Sequence, residues 1–248
     1  MNLNSETAAV LAEDVATLAI LQDIEVSSAV LAELRHLDFP YNLGLLPIGD
    51  ASRATFRMMW QALASLPKVS DARLLDDLAA DFAAIYLTGA FGVSPCESFW
   101  LSDDHLVCQE AMFDMRALYA AAGLAAPDWR KRPDDHLVFQ LQFLTSQLAL
   151  AANDDDWRAL ADFLDHHLLR WLPDFATRVA SRCDTPFYAA LAILTDAWCQ
   201  QLRDMIAQHL DEARPSPEKI EESRRPPRNA QVAAEPIHFV PGAAGPSW

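Results

Sequence analysis

Residues able to do chemistry are abundant in this 248-residue chain but are rarely arranged to do it. Its 35 carboxylates and seven histidines include an adjacent pair, His166-His167, and an acidic run, Asp154-Asp155-Asp156. Neighbouring helical residues point about 100° apart, so the histidine pair cannot easily grip one ion. A place at a helix end, beside the negative pole of the backbone dipole, suits it better. The aspartate run follows Asn153 and precedes Trp157, the pattern of a helix start with negative charge on its first turn. Calcium would instead need about six or more oxygens from alternating loop positions. Cys96, Cys108, Cys183 and Cys199 form no CxxC and no zinc spacing, and read as buried, reduced thiols. There is no GxSxG, HExxH or P-loop, and no GxGxxG after a strand. No catalytic residue, metal or cofactor is therefore expected.

Two loops resist explanation by packing alone. The first, Tyr86 to Trp100, contains Phe91, Phe99 and Trp100 together with Gly89, Gly92, Pro95 and the carboxylate Glu97. Apolar, conformationally special loops of this kind often carry function, although aromatics there can equally seal a core where helices diverge. The second is Pro133-Asp134-Asp135-His136, where proline ends a loop and an aspartate is expected to cap the next helix. A histidine cation is disfavoured in a first helical turn, so His136 is expected to be neutral, engaged with a partner or a carboxylate.

The elements that must position these loops are helices. Apolar residues recur at helical spacing in segment after segment, with almost no strand signal. The pattern predicts helices over about Ser5–Gln22 and Ser27–Leu37, then a Pro/Gly-rich loop from Asp38 to Gly49. Asp50 is expected to cap a helix with Phe56, Met59, Trp60, Leu63 and Leu66 inward, and Ser70 or Asp71 another with Leu74, Leu75, Leu78, Phe82 and Ile85 inward. Thr88–Leu101 reads as loop, and Ser102 as the start of a helix that Gly123 ends in a left-handed conformation. After the loop 125–134, Leu137, Leu141, Leu144 and Leu148 mark the cleanest amphipathic helix. Helices at about Asp155–Arg170, Leu172–Ala180 and Thr185–His209 follow, the last with Thr185 as N-cap and Pro186 at its first position. The expected fold is all-α: one domain of about nine or ten helices over 1–211, with a disordered, Pro-rich tail over 212–248. Arg224-Arg225 superficially resembles a twin-arginine signal, but no apolar stretch follows it.

Composition narrows the partners. A net charge of −16 argues against nucleic acid, which requires a basic surface. The last 38 residues carry six acidic and five basic groups, so nearly all the excess, 29 against 14, belongs to the folded part. Such an acidic body can steer a basic peptide, or simply stay soluble. No stretch approaches the ~18 apolar residues of a membrane span, and no basic-then-apolar leader opens the sequence. A cytoplasmic location without stable membrane insertion is expected.

At the two loops the sequence resembles the TorD/DmsD family of redox-enzyme maturation chaperones, which pairs Pro-x-Glu-Ser-aromatic with a later Pro-x-Asp-His-Leu. Here these are Pro95-Cys96-Glu97-Ser98-Phe99-Trp100 and Pro133-Asp134-Asp135-His136-Leu137. Tyr119 with Gly123-Leu124, His167 to Phe175, and Pro186-Phe187-Tyr188 extend the similarity over about residues 75–200. Gln140 departs from it, standing where a glutamate is expected.

The resemblance implies a non-catalytic role: binding the precursor of a molybdopterin-containing oxidoreductase through its twin-arginine signal peptide and apoenzyme, assisting cofactor insertion and delaying export. Carried over by position, the binding surface comprises Tyr86, Pro95, Glu97, Trp100, Pro133, Asp135 and His136, with Phe91 and Phe99 as further apolar contacts. Glu97 and Asp135 would pair with peptide arginines through charge-assisted hydrogen bonds. One alternative is an assembly chaperone of nitrate reductase or formate dehydrogenase type that recognises other parts of its client. Another is a small helical enzyme or ligand-binding protein using His136 as base. Monomer and domain-swapped dimer are both compatible with the sequence.

Overall fold

The computed structural model describes residues 3–67 and 72–224, and the fold is all-α. Met1–Arg214 form one compact unit and the residues from Pro215 onward a second. In the first unit, α1 (Ser5–Asp23) is capped by Asn4, whose side chain accepts the Thr7 N–H at 2.8 Å. Ser27 caps α2 (Ser28–His36) in the same way. Helix α3 (Gly49–Ser65) starts one residue before the expected cap, so Asp50 lies in its first turn and pairs with Arg53. Trp60, expected in the core, is 45 % exposed, while Phe56, Met59 and Leu63 form the buried stripe. Residues 56, 59 and 63 are spaced by three and four, and 60 sits one residue round the helix toward solvent.

Helix α4 (Ala72–Phe82) widens into a π-helical turn, Ala83–Leu87. The caps expected for it at Ser70 or Asp71 lie outside the described residues. Helix α5 (Glu97–Leu101) lies in the stretch expected to be loop, and the helix expected from Ser102 begins only at Glu110, as α6 (Glu110–Ala121). Between them the backbone is left-handed at His105 (φ 52°) and Cys108 (φ 61°), which no continuous helix tolerates. Gly123 does end α6 (φ 72°), with Leu124 N–H on the Tyr119 carbonyl at 2.7 Å and Gly123 N–H on that of Ala120 at 3.0 Å.

Helix α7 (Leu137–Leu150) runs through the centre against α1. Helices α8 (Asp154–Phe163) and α9 (Leu169–Ala180) are joined by a second π-helical turn, Leu164–Leu168, into one helical run. The break expected near Arg170 does not occur. Pro173 sits early in α9, near a turn where the regular hydrogen-bond register is already interrupted. Asn153 and Asp156 close a reciprocal capping box at the start of α8, so the acidic run serves a helix N-terminus. His166 and His167 lie inside the π turn rather than at a helix end.

Helix α10 (Pro186–Leu210) is the core spine, packed on α9, α3 and α8 with Phe187, Leu191, Leu194, Trp198 and Leu202 buried. Thr185 occupies its N-cap position, but its hydroxyl donates to Asp81 Oδ2 at 2.6 Å, and that carboxylate also receives the N–H groups of Asp184 and Thr185. Two further buried polar contacts tie distant elements. Asp14 accepts from Gly44 N–H, Leu45 N–H and Trp198 Nε1. Arg203 of α10 grips Asp165 bidentately at 2.7–3.0 Å. Gly44 is required by close approach: a Cβ there would lie 1.9 Å from Val10 Cγ1. In the second unit, α11 (Pro217–Arg224) is helical where disorder was expected; residues 225–248 lie outside the described residues.

Candidate functional site

The two loops singled out by sequence meet. The Pro95 carbonyl accepts Leu137 N–H at 2.7 Å and the Asp135 carbonyl accepts Glu97 N–H at 3.1 Å, pairing Cys96 and His136 as a short antiparallel bridge. It is the one β-type pairing among the described residues. Both α5 and α7 start from it, α5 packing on α9 and α6, and Asp134-Asp135-His136 secures three helices at once. Asp134 accepts two bonds from the Arg116 guanidinium of α6, at 3.1 and 2.6 Å, and its carbonyl accepts Tyr119 OH at 2.8 Å. Asp135 Oδ2 accepts Ser98 N–H at 2.7 Å, capping α5, whose own N-cap residue Cys96 makes no side-chain cap. His136 Nδ1 accepts Val138 N–H at 3.1 Å and caps α7. The aspartate expected to cap α7 thus caps α5 across the bridge, and the histidine caps α7.

A cap that accepts through Nδ1 must leave that nitrogen unprotonated. Burial, reinforced by the nearby Arg132 charge, lowers the His136 pKa to about 3, keeping the imidazole neutral. Burial also raises the Asp135 pKa, against the hydrogen bonds from Ser98 and with the help of the Glu97 charge.

Glu97 is completely buried, as is Asp135. Gln140 Nε2 donates to Glu97 Oε2, and Trp171 Nε1 donates to Gln140 Oε1 at 3.2 Å. Indole N–H can only donate, so this amide orientation satisfies both contacts. His167 Nδ1 lies 3.2 Å from both Glu97 oxygens. Gln140 therefore supplies a neutral donor to a buried carboxylate, where a glutamate would set two carboxyl groups against each other.

Outside this polar knot lies an aromatic shelf. Phe99 stacks on His105 with centroids 5.0 Å apart and meets Trp100 edge-on at 5.3 Å. Trp100 packs on Phe175, its Nε1 donates to the Ser94 carbonyl, and Arg178 lies over its ring while donating to the Gly92 carbonyl. Phe91, Phe99, Trp100 and Pro133 are half-buried, whereas Pro95, Glu97, Asp135 and His136 are buried. The carboxylates assigned to peptide arginines are thus out of solvent reach in this conformation. Tyr86 belongs to a different cluster: it packs on Phe82 and Tyr188, and its hydroxyl donates to Gln22, which in turn donates to Thr195.

Sequence reasoning missed a concavity beside this knot. A groove of about 550 Å³ opens between α6, α7 and α8, with Leu118, Phe143, Leu150, Leu160 and Phe163 among its apolar lining and Asp162 on its rim. His167 links it to the knot, lining the groove while facing Glu97. Leu150, which lines the groove, is 74 % exposed at the end of an otherwise strongly apolar helix. Among the described residues no group of three or more side chains could hold a metal ion, and no helix is long and apolar enough to cross a membrane.

Residues 50–177, which carry both loops and the groove, match the family model described as nitrate reductase delta subunit. The chain is 33 % identical over 161 residues to the chaperone protein TorD of Vibrio cholerae (strain O395), covering 61 % of this chain and 71 % of the relative. It is 32 % identical over 171 residues to that of Photobacterium profundum, covering 65 % and 76 %, and 28 % identical over 183 residues to that of Vibrio vulnificus (strain CMCP6), covering 71 % and 84 %. These relatives are chaperones and not enzymes, and the chain belongs with them to the TorD/DmsD family of redox-enzyme maturation chaperones.

Proposed function

We propose that this chaperone works in the cytoplasm on the precursor of a molybdenum-containing oxidoreductase, holding its twin-arginine signal peptide and apoenzyme until the cofactor has been inserted. The observation that carries this reading is the pairing of the polar knot with the open groove. Buried caps fix the starts of α5 and α7, Asp134 ties α6 to them through Arg116, and next to them an apolar channel lies free between α6, α7 and α8. The roles of the nine residues taken from sequence divide accordingly. Glu97, Asp135, His136 and Pro95 hold the knot; Phe91, Phe99, Trp100 and Pro133 offer apolar contact surface; Tyr86 braces the α4 end.

The apolar stretch of a signal peptide lies in the groove as a helix or extended segment. Its arginine pair stays at the acidic rim, where Asp162 is exposed, because breaking the Glu97 or Asp135 contacts would leave buried groups without partners. The acidic body adds long-range attraction for a cationic peptide. The test is a fluorescence titration of the full chain with a labelled twin-arginine signal peptide, its Ala-Ala counterpart and a signal-less apoenzyme. Saturable binding that weakens on replacing the arginines supports the reading. Binding confined to the signal-less apoenzyme would favour the assembly-chaperone alternative.

A further inference from the structure

Next to the knot, on its solvent side, two exposed aromatic rings and two guanidinium groups form a ladder. Arg116 Cζ lies 5.5 Å from the Phe113 centroid and 5.5 Å from that of Trp129, and Arg130 Cζ lies 5.0 Å from that of Trp129. Phe113 and Trp129 remain 55 % and 41 % exposed. Arg116 is held in place by its two bonds to Asp134, so this part of the ladder is preorganised. Three consecutive basic residues, Arg130, Lys131 and Arg132, follow Trp129, while the whole chain carries −16. Lys131 and Arg132 pair with Asp128 and Asp23, whereas the Arg130 side chain has no carboxylate partner among the described residues.

We infer that Phe113, Arg116, Trp129 and Arg130 form a second docking surface, which takes an acidic segment of the client polypeptide outside its signal peptide; this rests on the reading that the chain holds a precursor. The chemistry is opposite to that of a twin-arginine peptide, which the exposed arginine would repel. Exposed Trp and Arg together are the residue types that dominate protein interfaces. A guanidinium group lies over each ring, so the ladder offers guanidinium N–H edges beside apolar ring surface. Carboxylates flanked by apolar side chains fit that pattern through charge-assisted hydrogen bonds.

The experiment uses the full chain and a fluorescein-labelled peptide of alternating glutamate and leucine at low ionic strength, read by anisotropy. The variants are Arg130→Glu, Trp129→Ser and, as a control with the same charge change on exposed α3, Arg57→Glu. The expected result is affinity reduced about tenfold by Arg130→Glu, by the loss of one charge-assisted contact, with a clear reduction in Trp129→Ser and little change in Arg57→Glu. Added salt should weaken the wild-type complex. Equal losses in Arg130→Glu and Arg57→Glu, no binding by the wild type, or displacement by inorganic pyrophosphate at concentrations matching the peptide would overturn the inference. A twin-arginine peptide titrated in parallel separates the two readings. If it binds while the acidic probe does not, only the second surface falls; if only the acidic probe binds, the signal-peptide reading falls and the surface stands.

Discussion

The polar knot and the groove beside it share α6 and α7 yet obey opposite rules. In the knot, Asp134, Asp135, His136, Glu97 and Gln140 are buried, and each holds another element in place through named hydrogen bonds. In the groove, Leu118, Phe143, Leu150 and Phe163 line a space of about 550 Å³ that the chain itself does not fill. The residues that make the sequence recognisable are therefore mostly supports, and the surface available to a partner lies one layer further out. Substitutions in the two regions should separate accordingly, with stability changing in the knot and binding changing in the groove.

The largest effect should come from Asp135→Ala, which strips α5 of its cap and leaves the buried Ser98 N–H without an acceptor. A loss of about 2–4 kcal/mol is expected in urea denaturation. Asp135→Asn keeps an acceptor and should lose less than half of that; equal losses would mean the cap is not what matters. Next, Gln140→Glu places a second carboxyl against Glu97. It should destabilise by about 1–3 kcal/mol at pH 8 and by less at pH 5, where one proton can be shared. A pH-independent penalty would contradict the like-charge account.

A smaller, continuous effect should follow from His136. Its folded pKa of about 3 lies below its ordinary 6.5, so between these values the unfolded chain binds the extra proton and stability falls as pH falls. The slope from this group approaches ~1.4 kcal/mol per pH unit well inside that window. The raised Asp135 pKa acts the other way, since protonation of a buried carboxyl favours the folded state as pH falls toward 3.8. His136→Asn retains a capping acceptor without the titration, so the decline in stability from pH 6.5 to 5 should be shallower than in the wild type, as read by thermal melts.

Much of this architecture was legible in the sequence, and what was not has physical causes. Amphipathic spacing and caps located α1, α2, α7 and α10, and the left-handed Gly123 was found because only glycine is at ease there. Helix α5 was read as loop because its cap comes from Asp135, 37 residues away, and a local pattern carries no such information. The same holds for Asp81, which secures the start of α10 from α4. Left-handed His105 and Cys108 broke a helix that composition alone would continue. At the site, the two motifs were found and do meet, but which side chains face inward depends on packing: Glu97 and Asp135 look like surface charges in sequence and are fully buried. The groove was invisible because it lies between helices whose apolar residues read as ordinary core.

The most direct test of the central claim fills the groove without touching the knot. Ala159 is exposed on α8 and lines the groove, so Ala159→Trp should block it while leaving the buried hydrogen bonds intact. Calorimetric titration with a twin-arginine signal peptide should then show affinity reduced about tenfold or more, a difference of ~1.4 kcal/mol, with an unchanged melting temperature. Full-strength binding by a folded Ala159→Trp protein would contradict the account and move the peptide out of the groove.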